Sequence, residues 1–331
     1  MTDEEDRIVL ERMGLLGRAD AATLVPLSGG VSSDIRLVHT SAGERPLVFK
    51  RALTTLRVDA EWHAPIRRGQ AEANWLRFAG SVTPECVPQV LATDDDTFAI
   101  ALEYLPPERF ANWKTHLLSG KVDVAFAGAV GRLIGRIHSA SASSPGLSRR
   151  FANQDLFESL RIEPYLRRTV EAVPEVATEL RDVIGLLEAP GRVLIHGDLS
   201  PKNILVGPDS PVVLDAECAT WSDPAFDVAF CLTHLVLKSV HLTGHADKFR
   251  EAADVLRREY LSTVNWEPAE EVDRRIGRIL PGLLLARVVG ASPVEYLDTQ
   301  EQFTIRTLAV DALRCEQSMV FAQQRRNEED V

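Results

Sequence analysis

Cysteine is scarce in this chain of 331 residues: Cys86, Cys218, Cys231 and Cys315 are scattered, with no C-x-x-C pair. Neither a zinc ribbon nor a disulfide framework follows from that spacing, and a reducing cytoplasm is the expected compartment. Long apolar runs are also missing. No stretch of about eighteen apolar residues is free of charge, and the most apolar segment, Ala225 to Val240, contains Asp227, His234 and Lys238, so it reads as a buried helix and not a membrane span. The N-terminus is acidic and lacks the charged-then-apolar layout of a signal sequence. Positive charge is in deficit. Thirty-seven Lys plus Arg against 48 Asp plus Glu give a net charge of −11, which disfavours a nucleic-acid binder with a basic surface and slightly disfavours a polyanionic substrate. Among the cations lysine is rare, six against thirty-one arginines. Internal repeats and low-complexity tracts are absent.

What remains is the composition of a folded protein, 45% apolar and 26% charged, long enough for two parts with a core each. Strand-like runs cover Ala22 to Leu27, Asp34 to Thr40, Pro46 to Arg51 and Phe98 to Tyr104, with a helix expected over Gln70 to Phe78. Pro106-Pro107 then break the chain, suggesting domains of 1–105 and 106–331. Helical spacing follows in Phe126, Val130, Leu133, Ile134 and Ile137, and less cleanly in Leu156, Leu160 and Leu166. Strand-like triplets at Val193 to Ile195, Ile204 to Val206 and Val212 to Leu214 interrupt it. Long amphipathic stretches run from Asp223 to about His241, Ala246 to Tyr260, Ala269 to Val289 and Glu301 to Gln324. The acidic ends, Asp3 to Asp6 and Glu328 to Asp330, are expected to be frayed and solvated.

The most informative segment is Val193-Leu-Ile-His-Gly-Asp-Leu-Ser-Pro-Lys-Asn-Ile-Leu-Val206. Its His-Gly-Asp with Asn203 five residues after Asp198 would arise by chance in roughly one chain in a thousand of this length. Asp215 follows at the end of Pro211-Val-Val-Leu-Asp215. Two carboxylates and an amide oxygen suit magnesium, which takes a few hard oxygen ligands and leaves room for phosphate and water; one carboxylate must stay free to take a proton from an attacking hydroxyl. Upstream, Gly29, Gly30 and Ser32 lie in a turn whose backbone N–H groups can approach phosphates. Lys50 ends a strand in a chain that habitually uses arginine, which points to a compact ammonium, and Glu72 on the expected helix is its candidate partner.

The ordered set Gly29-Gly30, Lys50, Glu72, Glu103-Tyr104-Leu105, His196-Gly-Asp198, Asn203 and Asp215 resembles the aminoglycoside phosphotransferase and choline kinase-like branch of the protein-kinase-like fold, over about residues 22 to 240. The resemblance implies an α+β bilobal fold, with a small antiparallel-sheet N-lobe, a larger mainly helical C-lobe and MgATP between them. It implies Gly29, Gly30 and Ser32 over the phosphates, Lys50 on the α- and β-phosphates with Glu72 beside it, and backbone around Glu103, Tyr104 and Leu105 against adenine. Asp198 would be the catalytic base, with Asn203 and Asp215 on magnesium. Ala216-Glu217 stands where protein kinases have Phe-Gly, which makes Glu217 a candidate second magnesium ligand. The short segment from Asp215 to Pro224 leaves little backbone for a peptide platform, and Asp223-Pro-Ala-Phe-Asp227 resembles the small-molecule branch. Parts of the chain also resemble methylthioribose kinase: Val48-Phe-Lys50 with its long insertion up to Glu72, Asn112 to Gly120, and Leu285 to Gly290, which contains Arg287.

The function expected is transfer of the γ-phosphoryl group of ATP to a hydroxyl of a sugar, aminoglycoside, amino alcohol or nucleoside-like acceptor, with no nucleic-acid or membrane partner. A nucleotide-binding pseudokinase-like regulator and a protein kinase are the alternatives. His196 is read as an organiser of its loop, and Asp227 as a brace for it or a helix cap. His234 and Lys238, one turn apart, are candidates with Arg287 for the acceptor pocket, against the plainer reading of a polar stripe on a buried helix. His138 is read as a satisfied core residue, and His241 with His245 as solvated.

Overall fold

The structure is a computed structural model and describes residues 3–17, 20–27, 32–41, 45–55 and 64–315. Its first element is a helix, α1 (Asp3–Arg12), where fraying was expected. The acidic first turn favours the positive N-terminal end of the helix dipole. Asp6 also anchors it: the residue is buried and its carboxylate lies 3.0 Å from Arg51 Nη2 and 3.7 Å from Arg36 Nε. The opposite acidic end, Glu328 to Asp330, lies outside the described residues.

Three strands, β1 (Ala22–Pro26), β2 (Ser33–Thr40) and β3 (Leu47–Ala52), precede α2 (Arg68–Val82), β4 (Val90–Asp94) and β5 (Ala99–Glu103). They form one antiparallel sheet in the order β1-β2-β3-β5-β4. Only β4 was not anticipated; its Val-Leu-Ala-Thr-Asp run is short. The period of two sorts the side chains. Leu47, Phe49, Ala99 and Ala101 share a small core with Val9 and Leu10 of α1, whereas Ile100 and Leu102 join Trp75, Leu76 and Ala79 of α2 in the main core. Lys50, paired opposite Ile100, is on the α2 face.

After β5 the chain passes Pro106 and Pro107 to β6 (Ala111–Asn112), α3 (Trp113–Leu118) and α4 (Val124–Ala142). Asn112 and Asp123 cap the two helices by accepting the N–H groups of Thr115 and Phe126. Short helices α5 (Leu147–Arg150) and α6 (Gln154–Phe157) lead into a wide, π-helical stretch, Glu158–Arg167, followed by α7 (Arg168–Ala172) and α8 (Ala177–Glu188). The π-helical stretch explains the unclean spacing of Leu156, Leu160 and Leu166: Pro164 supplies no N–H, and the Arg168 N–H reaches back five residues to Glu163 O.

The strand-like island is β7 (Val193–Ile195), β8 (Ile204–Val206), β9 (Pro211–Val213) and β10 (Thr220–Ser222). Strand β8 pairs with β6 on one side and β9 on the other, and β10 pairs with β7. Helices α9 (Ala225–His241), α10 (Ala246–Leu261), α11 (Ala269–Val289) and α12 (Thr299–Arg314) complete the helical part. Helix α9 is buried along almost its whole length, which accounts for its apolar run, and no single described helix is long and apolar enough to cross a membrane. It begins at Ala225, later than the Asp223 expected, with Asp223 Oδ1 accepting the Ala225 N–H at 2.9 Å. Helix α12 is seen to Arg314, and the continuation expected to Gln324 lies outside the described residues. Helix α4 packs closely on α10 because Gly131 has no side chain: a Cβ there would stand 2.2 Å from Leu256 O. All the cysteines are free thiols.

The expected fold class therefore holds, an α+β chain with a five-stranded antiparallel sheet in its N-terminal region and a mainly helical remainder.

Candidate active site

The loop between β7 and β8 is held from below by α4 and α9. Ser141 Oγ of α4 accepts the Leu194 N–H at 2.9 Å, fixing β7. Asp227, in the first turn of α9, accepts the N–H groups of His196 and Gly197 at 2.7 and 2.8 Å. His138 Nε2 lies 3.2 Å from the same carboxylate, with Tyr260 Oη at its Nδ1. Gly197 has φ +77, and a Cβ there would meet Cys218 O at 2.5 Å, so only glycine fits the turn. His196 Nδ1 accepts the Asp198 N–H at 3.1 Å, which places the ring proton on Nε2, donating to Leu214 O at 3.0 Å. Burial lowers the His196 pKa and keeps that neutral tautomer. The ring thus ties the Asp198 loop to the strand before Asp215.

Asp198 is 2% exposed. Arg161 Nη2 lies 2.8 Å from Oδ1, while Asn203 Nδ2 donates to Oδ2 at 2.8 Å and Lys202 Nζ lies 3.2 Å from it. Burial works against the carboxylate, yet Arg161 and Lys202 outweigh it and hold the Asp198 pKa below the usual range. Oδ1 has an ionic neighbour but no donor aligned on it as a hydrogen bond. Asn203 Nδ2 is engaged by Asp198 O as well, at 2.9 Å, leaving Asn203 Oδ1 as the oxygen with ligating capacity.

Asp215 follows β9 with φ +64, a left-handed conformation uncommon outside glycine, asparagine and aspartate. The Leu214 N–H donates to Asn203 O at 2.9 Å, so the two segments are neighbours. Lys50 Nζ binds Asp215 Oδ1 and stands 2.7 Å from Glu72 Oε2. Burial opposes the ammonium, but Asp215 and Glu72 raise its pKa above the ordinary lysine value. Burial also raises Glu72 against the pull of Lys50, while at Asp215 burial is overcome by Lys50 and Lys202, which lower its pKa. Lys50, Glu72, Asp198, Asn203 and Asp215 are therefore one contiguous constellation.

Glu217 is drawn elsewhere, with Oε2 accepting from Arg68 Nε at 3.0 Å. Arg68 is fully buried and also donates to the carbonyls of Ala64, Pro65, Ser32 and Leu53, linking α2, the exit of the glycine turn and the loop after Asp215. Gly29 and Gly30 lie outside the described residues. Glu103 is exposed at the end of β5, and Tyr104 and Leu105 are half-buried beyond it. His234 and Lys238 are buried on α9, and Arg287 lies against Tyr165. His241 pairs with Glu301.

Three contributors went unmarked in the sequence: Arg68, Arg161 and Lys202. Arg161 had a visible signal, an arginine inside the apolar Leu156 to Leu166 run whose spacing was already irregular. Lys202 is one helical turn from Asp198 and adjacent to Asn203. Nothing in the sequence distinguished Arg68 from other arginines.

A metal would fit by donor chemistry: Asn203 Oδ1 and Asp215 are hard oxygens on hydrogen-bonded segments. Among the described residues no three His, Cys, Asp or Glu side chains converge as a cage, so phosphate and water would supply the other ligands.

The model of the phosphotransferase enzyme family matches residues 23–272. Methylthioribose kinase 2 of Oryza sativa subsp. japonica is 25% identical over 260 residues, covering 70% of this chain and 60% of that protein. The chain thus spans about 60% of the length of that relative. Among solved structures, choline kinase from Cryptosporidium parvum Iowa II superposes with a TM-score of 0.61 at 11% identity, covering 99% of this chain and 97% of the other. Ethanolamine kinase from Plasmodium vivax gives 0.56 at 14%, covering 91% and 86%. At such identities the likeness to solved structures is one of fold, the protein-kinase-like one.

Proposed function

The chain belongs to the phosphotransferase enzyme family, and on that premise we propose that it transfers the γ-phosphoryl group of MgATP to a hydroxyl of a small acceptor. The observation that carries the reading is the constellation itself: a buried lysine between two carboxylates, one of which neighbours an Asn203 that is bonded to a separate, ionised Asp198. In this reading Lys50, oriented by Glu72, binds the α- and β-phosphates, and the backbone at Glu103 to Leu105 lies along adenine. Gly29, Gly30 and Ser32 cover the phosphates. Asn203 and Asp215 would hold magnesium, which when bound offsets phosphate charge. Glu217 serves Arg68 first, and a second ion would have to share it.

Asp198 orients the acceptor hydroxyl and takes its proton. The oxygen–phosphorus bond to the acceptor forms as the bond to the β-phosphate oxygen breaks, and the electron pair leaves on ADP. Most of the acceleration comes from position and electrostatics. Domains 1–105 and 106–331 would form the two walls of the nucleotide site, and cytoplasmic ATP would supply the phosphoryl donor.

Replacing Asp198 by Asn tests this. ADP release should fall by about a thousandfold or more while MgATP affinity, measured by calorimetry, stays within about twofold. Wild-type turnover in that variant removes Asp198 from the mechanism.

A further inference from the structure

Beyond Arg161 the charged side chains of the site are almost all cations. The Arg161 guanidinium lies 5.5 Å from the Tyr165 ring and 5.8 Å from that of Phe230. Arg287 covers the same Tyr165 ring at 5.5 Å and donates to Tyr165 Oη at 3.1 Å. Phe230 meets His234 edge to face at 5.4 Å, and Lys238 is one turn farther along α9. Asp198 is therefore connected by two short chains of contact to Arg287 and to Lys238.

Lys238 is fully buried, yet its Nζ has only two long contacts, His234 O at 3.3 Å and Tyr296 Oη at 3.4 Å, with the Tyr296 ring at 5.0 Å. Among the described residues no carboxylate lies within ion-pair distance of Lys238 or of Arg287. Arg287 spends Nη1 on Tyr165 and on Ser292, and its Nε is buried without a partner. Among the groups around Lys238, Lys114 and Arg287 oppose its protonation and Glu295 favours it, while the Cys231 thiol, its pKa pushed up by burial to about 12, is neutral. Glu295, the carboxylate among them, is already bound by Lys114. Burial lowers the Lys238 pKa to about 7 and that of His234 well below its ordinary value, with Lys238, Arg287, Lys202 and Lys114 all acting in the same direction on His234.

A buried ammonium without a counter-ion costs stability, and so does an unpartnered guanidinium N–H. One oxyanion within reach of both side chains, which already act on each other electrostatically, would relieve both costs. We propose that Lys238 and Arg287, with His234 beside them, form the subsite for a carboxylate carried by the acceptor, so that the substrate is a hydroxy acid. This rests on the kinase reading of the adjoining Asp198. One ammonium and one open guanidinium edge match a planar monoanion, which can take the Arg287 edge and the Lys238 charge together. A sugar phosphate offers the same kind of oxygens and is the competing source. The net charge of −11 does not select the acceptor by itself; the groups around Lys238 and Arg287 bear on it directly.

The test is a set of matched probes with the full chain and MgATP: gluconate against sorbitol, glycerate against glycerol, ribose 5-phosphate, and choline, each followed by saturation binding and by ADP release. At least one of the two acids should saturate and exceed its uncharged partner by tenfold or more in kcat/KM. Lys238→Met and Arg287→Met should each raise KM for that acid at least tenfold, change kcat less, and leave the Kd for MgATP unaltered. Lys238→Met should melt no lower than wild type, because it removes an unpaired charge and keeps the chain's volume; a lower melting temperature would make Lys238 a structural residue and overturn the proposal. Preference for choline, sorbitol or glycerol, or saturation by none of the anions, overturns it while leaving the kinase reading intact. Preference for ribose 5-phosphate replaces carboxylate by phosphate. Absence of MgATP binding is the separate failure that sinks the kinase reading.

Discussion

Two lysines are buried near one site, and their surroundings are opposite. Lys50 on β3 lies between Glu72 and Asp215, and its charge is held on. Lys238 on α9 has two neutral oxygens and an aromatic ring, and its charge is pushed off. The difference shows what each is ready to meet. Lys50 already has counter-ions, and on the proposed reading it would exchange some of that ionic contact for phosphate on binding. Lys238 is short of one negative charge, which the proposed carboxylate would supply. Residue type and burial are the same in the two cases, and the neighbouring carboxylates decide the chemistry.

The largest effect is expected from making Lys50 neutral. Lys50→Met leaves Glu72 and Asp215 facing each other without a cation, so ADP release should drop at least about a hundredfold and urea unfolding should show a loss of about 3 kcal/mol. Unchanged stability would mean that the carboxylates do not need the ammonium. Next comes Glu72→Gln, which gives Lys50 one anion instead of two; KM for MgATP should rise about tenfold with a stability loss of about 1 to 2 kcal/mol, read by the same assays.

The third variant works in the reverse direction. With its pKa lowered by burial to about 7, against 10.5 ordinarily, Lys238 binds fewer protons folded than unfolded between those values, so its penalty is complete below pH 7 and relaxes as pH rises. Lys238→Met should therefore melt above wild type at pH 6, with the gap closing towards pH 9 in paired thermal scans. A gap independent of pH would show that Lys238 does not titrate there. The smallest effect belongs to Asp6→Asn behind the sheet, about 1 kcal/mol in unfolding with kcat and KM unmoved; altered kinetics would mean that α1 reaches the site through Arg51, the neighbour of Lys50.

The sheet strands and long helices were legible because their apolar periods are regular, and the Asp198, Asn203 and Asp215 loops because their spacing is specific. What was not legible depended on partners distant in sequence. The acidic N-terminus looked solvated until Asp6 met Arg51 and Arg36. Glu217 looked free for a metal, but Arg68, 149 positions away, occupies it. The electrostatics at Lys238 were not legible either: a net charge averages over the whole surface, whereas Lys238 responds to a few groups around one buried atom.

The backbone at Asp215 limits what can replace it. At φ +64 the position admits readily only glycine, asparagine and aspartate, and aspartate alone of these is anionic. The bend of the chain thus favours three residues at this position, and a requirement for negative charge would leave one of them. Glutamate, the usual conservative exchange, would add about 1 to 2 kcal/mol of backbone strain to its longer reach, so even the substitution that keeps the charge is penalised at this position.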